Sequence, residues 1–265
     1  MPAAKPLVLI RGAGEHATGT AHRLFRCGLP VLMTEISQPL VVRRTVAFAA
    51  AVFAGACTVE GVVARRVDAP AVGDGSFVPV LIAPDIRPVL AALRPAVLID
   101  ARILKRDIDT AITDAPLVIG YGPGFRAGGN CHAAIETNRG HHLGRIITAG
   151  ETEPETGIPG AIAGYAAERC FRAPCAGVFT SPHAIGDTIA AGEVLGDVDG
   201  MPVTAAIGGM LRGLLHSGIR VPSGIKLGDI DPRGRREYCF TLSEKTRTIS
   251  GGALEAILAR FARPV

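Results

Sequence analysis

The chain has 265 residues, with 28 lysines and arginines against 24 aspartates and glutamates. A chain of this length can bury a self-sufficient core, as one large domain or two modest ones. The basic excess is small and scattered, which argues against nucleic acid as a partner. The six cysteines include no CxxC pair, so neither a disulfide framework nor a zinc site is expected.

The sequence predicts a cytoplasmic protein with no membrane partner. Its longest apolar stretch, 46–57, is shorter than the roughly 20 residues that a membrane-spanning helix needs. Met1–Pro6 contains no hydrophobic signal segment.

The first predicted element is the apolar run Leu7–Ile10, which leads directly into a loop with Gly12, Gly14 and then Gly19. Glu35 follows Gly14 by 21 residues and ends a second apolar run. This order predicts a Rossmann-like unit in which the glycines approach a phosphate and Glu35 accepts hydrogen bonds from a ribose. Alternatively, the glycines serve only the close packing of helix on strand, with no ligand bound.

Further apolar runs alternate with helical patterns along the first part of the chain. The six predicted strands are Leu7–Ile10, Pro30–Met33, Val78–Ile82, Ala96–Ile99, Leu117–Ile119 and Arg145–Thr148. Apolar residues spaced by three and four predict helices at Ala17–Cys27, Val41–Phe53 and Pro88–Leu93. The alternation indicates an α/β domain, residues 1–168, with a parallel sheet covered on both faces.

Two further features are expected at the carboxyl edge of this sheet. Asp100 ends a predicted strand and is a candidate ligand-binding residue, although it could equally cap a helix. Gly122 and Gly124 lie in a loop after the strand Leu117–Ile119, where bare backbone N–H groups could bind an anion. A tight turn without a ligand is the alternative for this loop.

Ionisable residues cluster after the second glycine loop and form the candidate catalytic set. Glu136 or His141 could act as acid or base, and Arg139 could hold a phosphate or carboxylate. Cys131 is the predicted reactive thiol, because a thiolate among histidines and arginines would have a lowered pKa. A soft metal held by Cys131, His132, His141 and His142 is an alternative, but their spacing fits no zinc pattern.

Residues 169–235 have a different pattern, with glycines every six to nine residues, and are predicted to be all-β. Shifting 173–199 by 32 positions aligns eight identical residues, which indicates an internal repeat. The pattern resembles the biotinyl/lipoyl hammerhead domain. The connector Asp199–Thr204 has no lysine, so no covalent biotin or lipoate is expected. The remaining segment, 236–265, contains a predicted amphipathic helix, 251–261.

Seven stretches, in order, resemble the selenium-dependent molybdenum hydroxylase system protein family: RGAGEHATGTAHRL, TEISQPLVVRRTVAF, IDARILKR, GYGPGFRAGGN, IETNRGHHLGR, TGIPG and KLGDIDPR. The first part is also similar to the Rossmann domain of xanthine dehydrogenase accessory proteins.

The resemblance implies a factor for the maturation of molybdenum hydroxylases. It would bind a molybdopterin-type cofactor or a nucleotide, with a hydroxylase client as its partner, and a homo-oligomer is possible. Cys131 would carry transferable sulfur or selenium. Two alternatives are an NAD(P)-dependent oxidoreductase that uses Gly12, Gly14, Gly19 and Glu35 for a dinucleotide, and a scaffold without chemistry.

Overall fold

The computed structural model describes residues 5–104 and 106–261 and divides the chain into two compact units. The first unit takes the chain up to Pro39, then Phe48–Glu155, and then the chain from Leu242 onward. The second unit takes Leu40–Ala47 and Thr156–Thr241. Most of Met1–Pro6 and the last residues of the segment 236–265 lie outside the described residues. The predicted domain bounds, 1–168, 169–235 and 236–265, stay a prediction.

The first unit is built from eleven strands among its described residues. They are β1 (Val8–Arg11), β2 (Val31–Glu35), β3 (Ala56–Val59), β4 (Val62–Val67), β5 (Val78–Ile82), β6 (Val97–Asp100), β7 (Leu117–Tyr121), β8 (Arg126–Ala127), β9 (Ala133–Ile135), β10 (Ile146–Ile147) and β11 (Gly150–Glu151). Nine of them form one sheet in the order β10-β9-β7-β6-β1-β2-β5-β4-β3. The strands β8 and β11 pair separately.

The large sheet is mixed. Seven strands, β9, β7, β6, β1, β2, β5 and β4, run parallel to one another, whereas β3 and β10 run antiparallel at the two edges. The central strands β1 and β6 are buried along their whole length, as expected for the apolar runs of a sheet covered on both faces. Their register aligns Arg11 with Asp100, and Asp100 with Gly120 of β7. These residues therefore stand in a row at the carboxyl edge of the parallel strands.

Helices α1 (Glu15–Arg26), α2 (Ala50–Ala54), α3 (Arg87–Leu93) and α4 (Glu244–Phe261) complete the first unit. Helix α4 packs against α1, and Gly19 of α1 provides the room for Thr246. A buried apolar cluster that includes Leu9, Leu98 and Phe125 forms part of the core. No helix among the described residues is both long enough and apolar enough to cross a membrane.

The second unit is built from the strands β12 (Cys170–Arg172), β13 (Gly177–Thr180), β14 (Thr188–Ile189), β15 (Val194–Val198), β16 (Met201–Thr204), β17 (Gly209–Leu214), β18 (Ile219–Val221) and β19 (Lys226–Asp231). They form two antiparallel sheets, in the orders β12-β19-β17-β14 and β16-β15-β13-β18. Strands β13 and β17, which start 32 positions apart, occupy inner places of the two sheets, and an apolar cluster with Phe179 and Leu211 forms the core.

The predicted fold class, a Rossmann-like parallel sheet followed by a hammerhead-like domain, is wrong. The nine-stranded sheet is mixed, because the hairpin β3–β4 and the strand β10 add antiparallel edges. The all-β part consists of two four-stranded antiparallel sheets, and its unit also includes Leu40–Ala47 from far upstream. The predicted C-terminal helix is present as α4, which begins at Glu244 rather than at residue 251.

Candidate ligand-binding site

The loop after β1 is held by backbone hydrogen bonds and by Glu35. Gly12 adopts φ +89°, a left-handed conformation that favours glycine, and its N–H donates to the Thr34 carbonyl (2.8 Å). The Ala13 N–H donates to Glu35 Oε2 (2.8 Å), and the Ile36 N–H donates to Oε1 (2.8 Å). Burial raises the pKa of Glu35, although these hydrogen bonds and Arg102 act in the opposite direction. Glu35 therefore fastens the loop.

The other two glycines of this loop have different environments. Gly14 is the N-cap residue of α1 and has no side-chain cap hydrogen bond. A Cβ on Gly19 would lie 2.1 Å from Cγ2 of Thr246 in α4. Gly19 therefore serves the packing of two helices, whereas phosphate binding by Gly12 and Gly14 stays a prediction.

In the second glycine loop, the side chain of Phe125 fills the space beside the loop's own backbone. The Phe125 ring lies against Gly120, where an added Cβ would be 2.0 Å from Cγ of the ring. The Gly122 N–H donates to the Ile135 carbonyl (3.0 Å), and the Gly124 carbonyl accepts from Asn130 Nδ2 (2.9 Å). These groups hold the loop together, and anion binding by Gly122 and Gly124 stays a prediction.

Asp100 belongs to an ion-pair network at the carboxyl ends of β1 and β6. It is fully buried and accepts two hydrogen bonds from Arg102, Nε to Oδ1 (3.0 Å) and Nη2 to Oδ2 (2.6 Å). The Thr110 hydroxyl also donates to Asp100 Oδ2 (2.6 Å), and Arg11 Nη1 lies 3.8 Å from the same oxygen. Asp100 thus orients two guanidinium groups.

Asp109 completes this network from the solvent side. Arg11 donates to it through Nη1 to Oδ1 (2.9 Å) and through Nη2 to Oδ2 (3.0 Å), and Arg102 Nη2 donates to Oδ1 (2.5 Å). The Arg11 side chain is 2% exposed, whereas the Asp109 side chain is 60% exposed. The Arg11 guanidinium, together with Arg102, holds the pKa of Asp109 well below its usual range. We call Arg11 and Arg102 the arginine clamp.

The structure brings Gly12, Glu35 and Asp100 together around the arginine clamp. Cγ of Arg102 lies 3.3 Å from the position that a Cβ on Gly12 would take. Arg11 and Asp109 were not predicted as site residues. The signal available in the sequence was that Arg11, a charged residue, follows the apolar run Leu7–Ile10 directly.

The predicted catalytic residues have structural partners of their own. Glu136 is buried and accepts hydrogen bonds from the N–H groups of Asn138 (2.6 Å) and Glu153 (2.7 Å). Arg139 forms an ion pair with Glu244. The ring of His141 stacks edge-on against that of His142, with centroids 5.0 Å apart. Catalytic roles for Glu136, Arg139 and His141 stay predictions.

The lowered pKa expected for Cys131 is wrong. The thiol is fully buried, and desolvation raises its pKa to about 11. The neighbouring His132 accepts a hydrogen bond from the Val118 N–H at Nδ1 (3.0 Å). Within 5–104 and 106–261, no group of three or more histidine, cysteine, aspartate or glutamate residues could hold a metal ion.

The second unit has a cleft of about 230 Å³. Its lining includes Glu168, Cys170 and Arg172 near β12, and Pro202 and Thr204 of β16. None of the predicted site residues lines it.

The described residues thus combine two kinds of architecture. One unit is α/β, built on a mixed nine-stranded sheet with buried ion pairs at the carboxyl edge of the parallel strands, and the other is a β unit of two antiparallel sheets.

Comparison with known proteins finds one curated relative, and no family model matches the chain. The relative is the uncharacterized protein YqeB of Escherichia coli K12, which is 44% identical over 261 residues. The match covers 97% of this chain and 48% of YqeB, so the chain spans about half the length of the curated relative.

Three solved structures are matched over most of the chain. An aspartoacylase family protein from Mesorhizobium loti is 12% identical, with a TM-score of 0.29 and 87% of each chain covered. A succinylglutamate desuccinylase/aspartoacylase from Rhodobacter sphaeroides is 16% identical, with a TM-score of 0.26 and coverage of 86% and 85%. The ectoine utilization protein EutE from Ruegeria pomeroyi is 12% identical, with a TM-score of 0.26 and the same coverage. At these scores the likeness assigns no activity to this chain.

These comparisons contradict the predicted family and function. The curated relative is uncharacterized, and none of the matched proteins is described as a molybdenum hydroxylase accessory protein. The resemblance to that family, and the maturation of a molybdenum cofactor that it implied, are therefore corrected. The NAD(P)-dependent oxidoreductase is corrected as well, because Glu35 occupies the Ala13 N–H and Arg102 covers Gly12 where a dinucleotide would lie. A homo-oligomer stays a prediction.

Proposed function

We propose that the first unit binds a small molecule through a carboxylate group, at the arginine clamp of Arg11 and Arg102. The observation that carries this proposal is the way in which Asp109 is held. Each of its two oxygens accepts one hydrogen bond from the fork of Arg11. This two-point geometry matches a planar carboxylate, and the Asp109 carboxylate therefore shows how a ligand carboxylate would bind.

The position of the clamp supports binding from solvent. A buried guanidinium such as that of Arg11 needs an anionic partner, because an unpaired buried charge is costly. Here Asp100 lies 3.8 Å from Arg11, and the exposed Asp109 on the loop after β6 accepts the two hydrogen bonds of its fork. A ligand carboxylate could therefore replace Asp109 and keep the same hydrogen bonds. The clamp also lies between β1 and β6. In the sheet, β1 has β2 on one side and β6 on the other, so the strand order reverses between β1 and β6. Ligands of α/β sheets bind at such a reversal, at the carboxyl ends of the strands.

Glu35 supplies the second contact in this proposal. It lies near enough to Arg102 for the positive charge to lower its pKa, while burial raises it. Its oxygens each accept one backbone N–H, and a carboxylate oxygen has a second lone pair. Glu35 can therefore accept a hydrogen bond from a hydroxyl or amino group of the ligand. Hydroxy acids and amino acids are the ligand classes that fit both contacts.

The test is calorimetric titration of the full chain with succinate, malate, glutamate and inorganic phosphate. We expect at least one carboxylate to bind. Asp109→Asn should strengthen that binding roughly tenfold, because the competing carboxylate is removed, and Arg102→Lys should weaken it by a similar factor. Asp107→Asn is the matched control, with the same charge change on an exposed residue of the same loop.

Two outcomes contradict the proposed function. One is that no carboxylate binds the Asp109→Asn protein while its thermal unfolding stays cooperative. The other is that Asp107→Asn strengthens binding as much as Asp109→Asn, which would make the effect one of net charge.

We also propose that the protein is cytoplasmic. The six cysteines are all free thiols, a state typical of reducing compartments. Fractionation of cells that express the tagged chain tests this, and recovery in the membrane or secreted fraction would contradict it.

A further inference from the structure

The second unit carries a group of arginines on the segment that follows β19. Arg233, Arg235 and Arg236 are exposed, and each guanidinium lies over an aromatic ring. Arg233 and Arg235 lie 4.5 and 5.7 Å from the centre of the Tyr238 ring, and Arg236 lies 4.9 Å from the centre of the Phe240 ring. We call Arg233, Arg235 and Arg236 the arginine surface.

Two buried arginines lie beneath this surface. Arg43 Nη2 and Arg212 Nε both donate to the Tyr238 carbonyl, at 3.1 and 3.3 Å. Burial raises the pKa of the neighbouring Cys239 thiol, whereas Arg43, Arg212 and Arg236 act in the opposite direction. The buried Arg43 and Arg212 and the exposed arginine surface therefore lie in the same part of the second unit.

The acidic residues of this segment do not balance these charges. Between Asp231 and Thr241 the sequence supplies two acids, Asp231 and Glu237, against three arginines, and the buried Arg43 and Arg212 add two more positive charges. An excess of positive charge over a compact patch attracts and steers anionic partners.

The guanidinium groups are also held in fixed orientations. Stacking on an aromatic ring restrains a long side chain, so less conformational entropy is lost when a partner binds. The arginine surface therefore presents three planar guanidinium groups within four consecutive residues, 233–236.

The contacts within this segment indicate which anion the surface suits. Arg233 donates to both oxygens of Asp231 (2.9 and 2.6 Å), and Arg235 donates to Glu237 (2.7 Å). These arginines thus already bind carboxylates. The faces of Tyr238 and Phe240 are covered by guanidinium groups, so they do not offer the free aromatic platforms on which single-stranded nucleic acid stacks.

We propose that the arginine surface binds an acidic segment of a partner protein, a run of aspartates and glutamates. Exposed guanidinium groups spread along Arg233–Arg236 suit an extended chain with several carboxylates better than one small anion. This site is independent of the arginine clamp, since every residue named here belongs to the second unit.

The experiment measures the fluorescence anisotropy of a labelled deca-glutamate peptide titrated with the full chain at 50 mM salt. We expect binding that weakens steeply as salt rises. The double variant Arg235→Glu/Arg236→Glu should lower the affinity tenfold or more. The matched control is Arg172→Glu/Arg220→Glu, which makes the same charge change at two exposed residues of the same unit.

Three results would overturn the proposal. The wild-type chain does not bind deca-glutamate, the control variant loses as much affinity as the test variant, or a deca-glutamine peptide binds equally well. Tighter binding of a single-stranded DNA oligonucleotide or of inorganic phosphate, lost in the same variant, would reassign the surface to phosphate ligands and also overturn it.

Discussion

At the scale of single residues, burial outweighs charges that are close only in sequence. Histidines and arginines follow Cys131 within a dozen residues, and this proximity predicts a lowered pKa. In the structure the thiol lies inside the core, where desolvation penalises the thiolate and raises the pKa to about 11. His141, His142 and Arg139 have contacts elsewhere, so their charges do not stabilise it.

This environment predicts the labelling of the cysteines. Treatment of the folded chain with iodoacetamide at pH 8 should modify the exposed Cys27 and leave Cys131 unmodified. A pKa of about 11 leaves only about a thousandth of the Cys131 thiols ionised at that pH. Peptide mass spectrometry after short exposure measures this. Labelling of Cys131 as fast as Cys27 would restore it as a reactive thiol.

Glu136 is predicted to contribute to stability through its two backbone partners. Glu136→Gln keeps one acceptor oxygen and turns an amide group toward the other N–H. The free energy of unfolding should therefore fall by about 1–3 kcal/mol. Urea denaturation measures this, with Glu151→Gln as the control, an exposed position where we expect a change within about 0.5 kcal/mol. Equal stabilities for the two variants would mean that the Glu136 hydrogen bonds are not important.

At the scale of elements, the packing of α1 on α4 depends on a glycine. Gly19 lies in the middle of α1, where a glycine lowers helix stability, and its lack of a side chain admits Thr246. From the sequence this glycine was predicted to approach a phosphate, because a glycine near the start of a helix can serve either phosphate binding or helix packing. Only the partner helix, more than two hundred residues later in the chain, distinguishes them.

Gly19→Ala should destabilise the protein by about 1–3 kcal/mol, since the new methyl group would overlap with Thr246. The control is Gly251→Ala in α4, where the nearest neighbour is the flexible end of Arg23 at 3.4 Å. That substitution should stabilise by roughly 0.5–1 kcal/mol through helix propensity. Chemical denaturation compares the two variants. Stabilisation by both would show that α1 and α4 do not meet at Gly19.

The sequence predicts the central strands well, because buried parallel strands are continuous apolar runs. The predicted strand Val78–Ile82 is confirmed without change as β5, and Pro30–Met33 corresponds to β2 with a shift at both ends. The predicted helix Val41–Phe53 is confirmed only at its end, where α2 begins at Ala50. Its first half belongs to the second unit, where Arg44 Nε donates to the Leu214 carbonyl (2.6 Å) and Thr45 donates to the Cys239 carbonyl (2.5 Å).

The hairpin β3–β4 was missed for a different reason. Glu60 and Gly61 both adopt positive φ, +43° and +81°, which is the geometry of a two-residue hairpin turn. Such turns are usually recognised by Asn-Gly or Asp-Gly. Here Glu60 is held in place by long-range contacts instead, since it accepts hydrogen bonds from the Leu242 N–H and from Arg247.

At the scale of the whole molecule, each unit has its own core and its own carboxylate with a lowered pKa in an arginine network. Asp109 serves the first unit and Asp231 the second. Burial raises the pKa of Asp231, but the hydrogen bonds and charge of Arg233 outweigh it, so its pKa lies below the usual range, as does that of Asp109. The pairing of Asp109 with Arg11 could not be predicted from the sequence, because the fold brings together two residues that lie far apart in the chain.

Both networks predict loss of stability in acid. A carboxylate whose pKa is lowered by folding stabilises the folded state fully above its unfolded pKa, near 4, and loses that contribution as the pH falls through the folded value. The midpoint of thermal unfolding should therefore be constant near neutral pH and decrease below about pH 4. Asp109→Asn should reduce this decrease, and an unchanged pH profile in that variant would show that Asp109 does not contribute.

The position of α4 in the chain has a consequence for biosynthesis. The helix that covers α1 is the last described element to leave the ribosome, roughly 10–45 s after α1 at usual elongation rates. During that interval all strands of the second unit are synthesised, whereas α1 still lacks the helix against which Gly19 packs. Nascent chains should therefore depend on chaperones for the first unit until α4 has been synthesised.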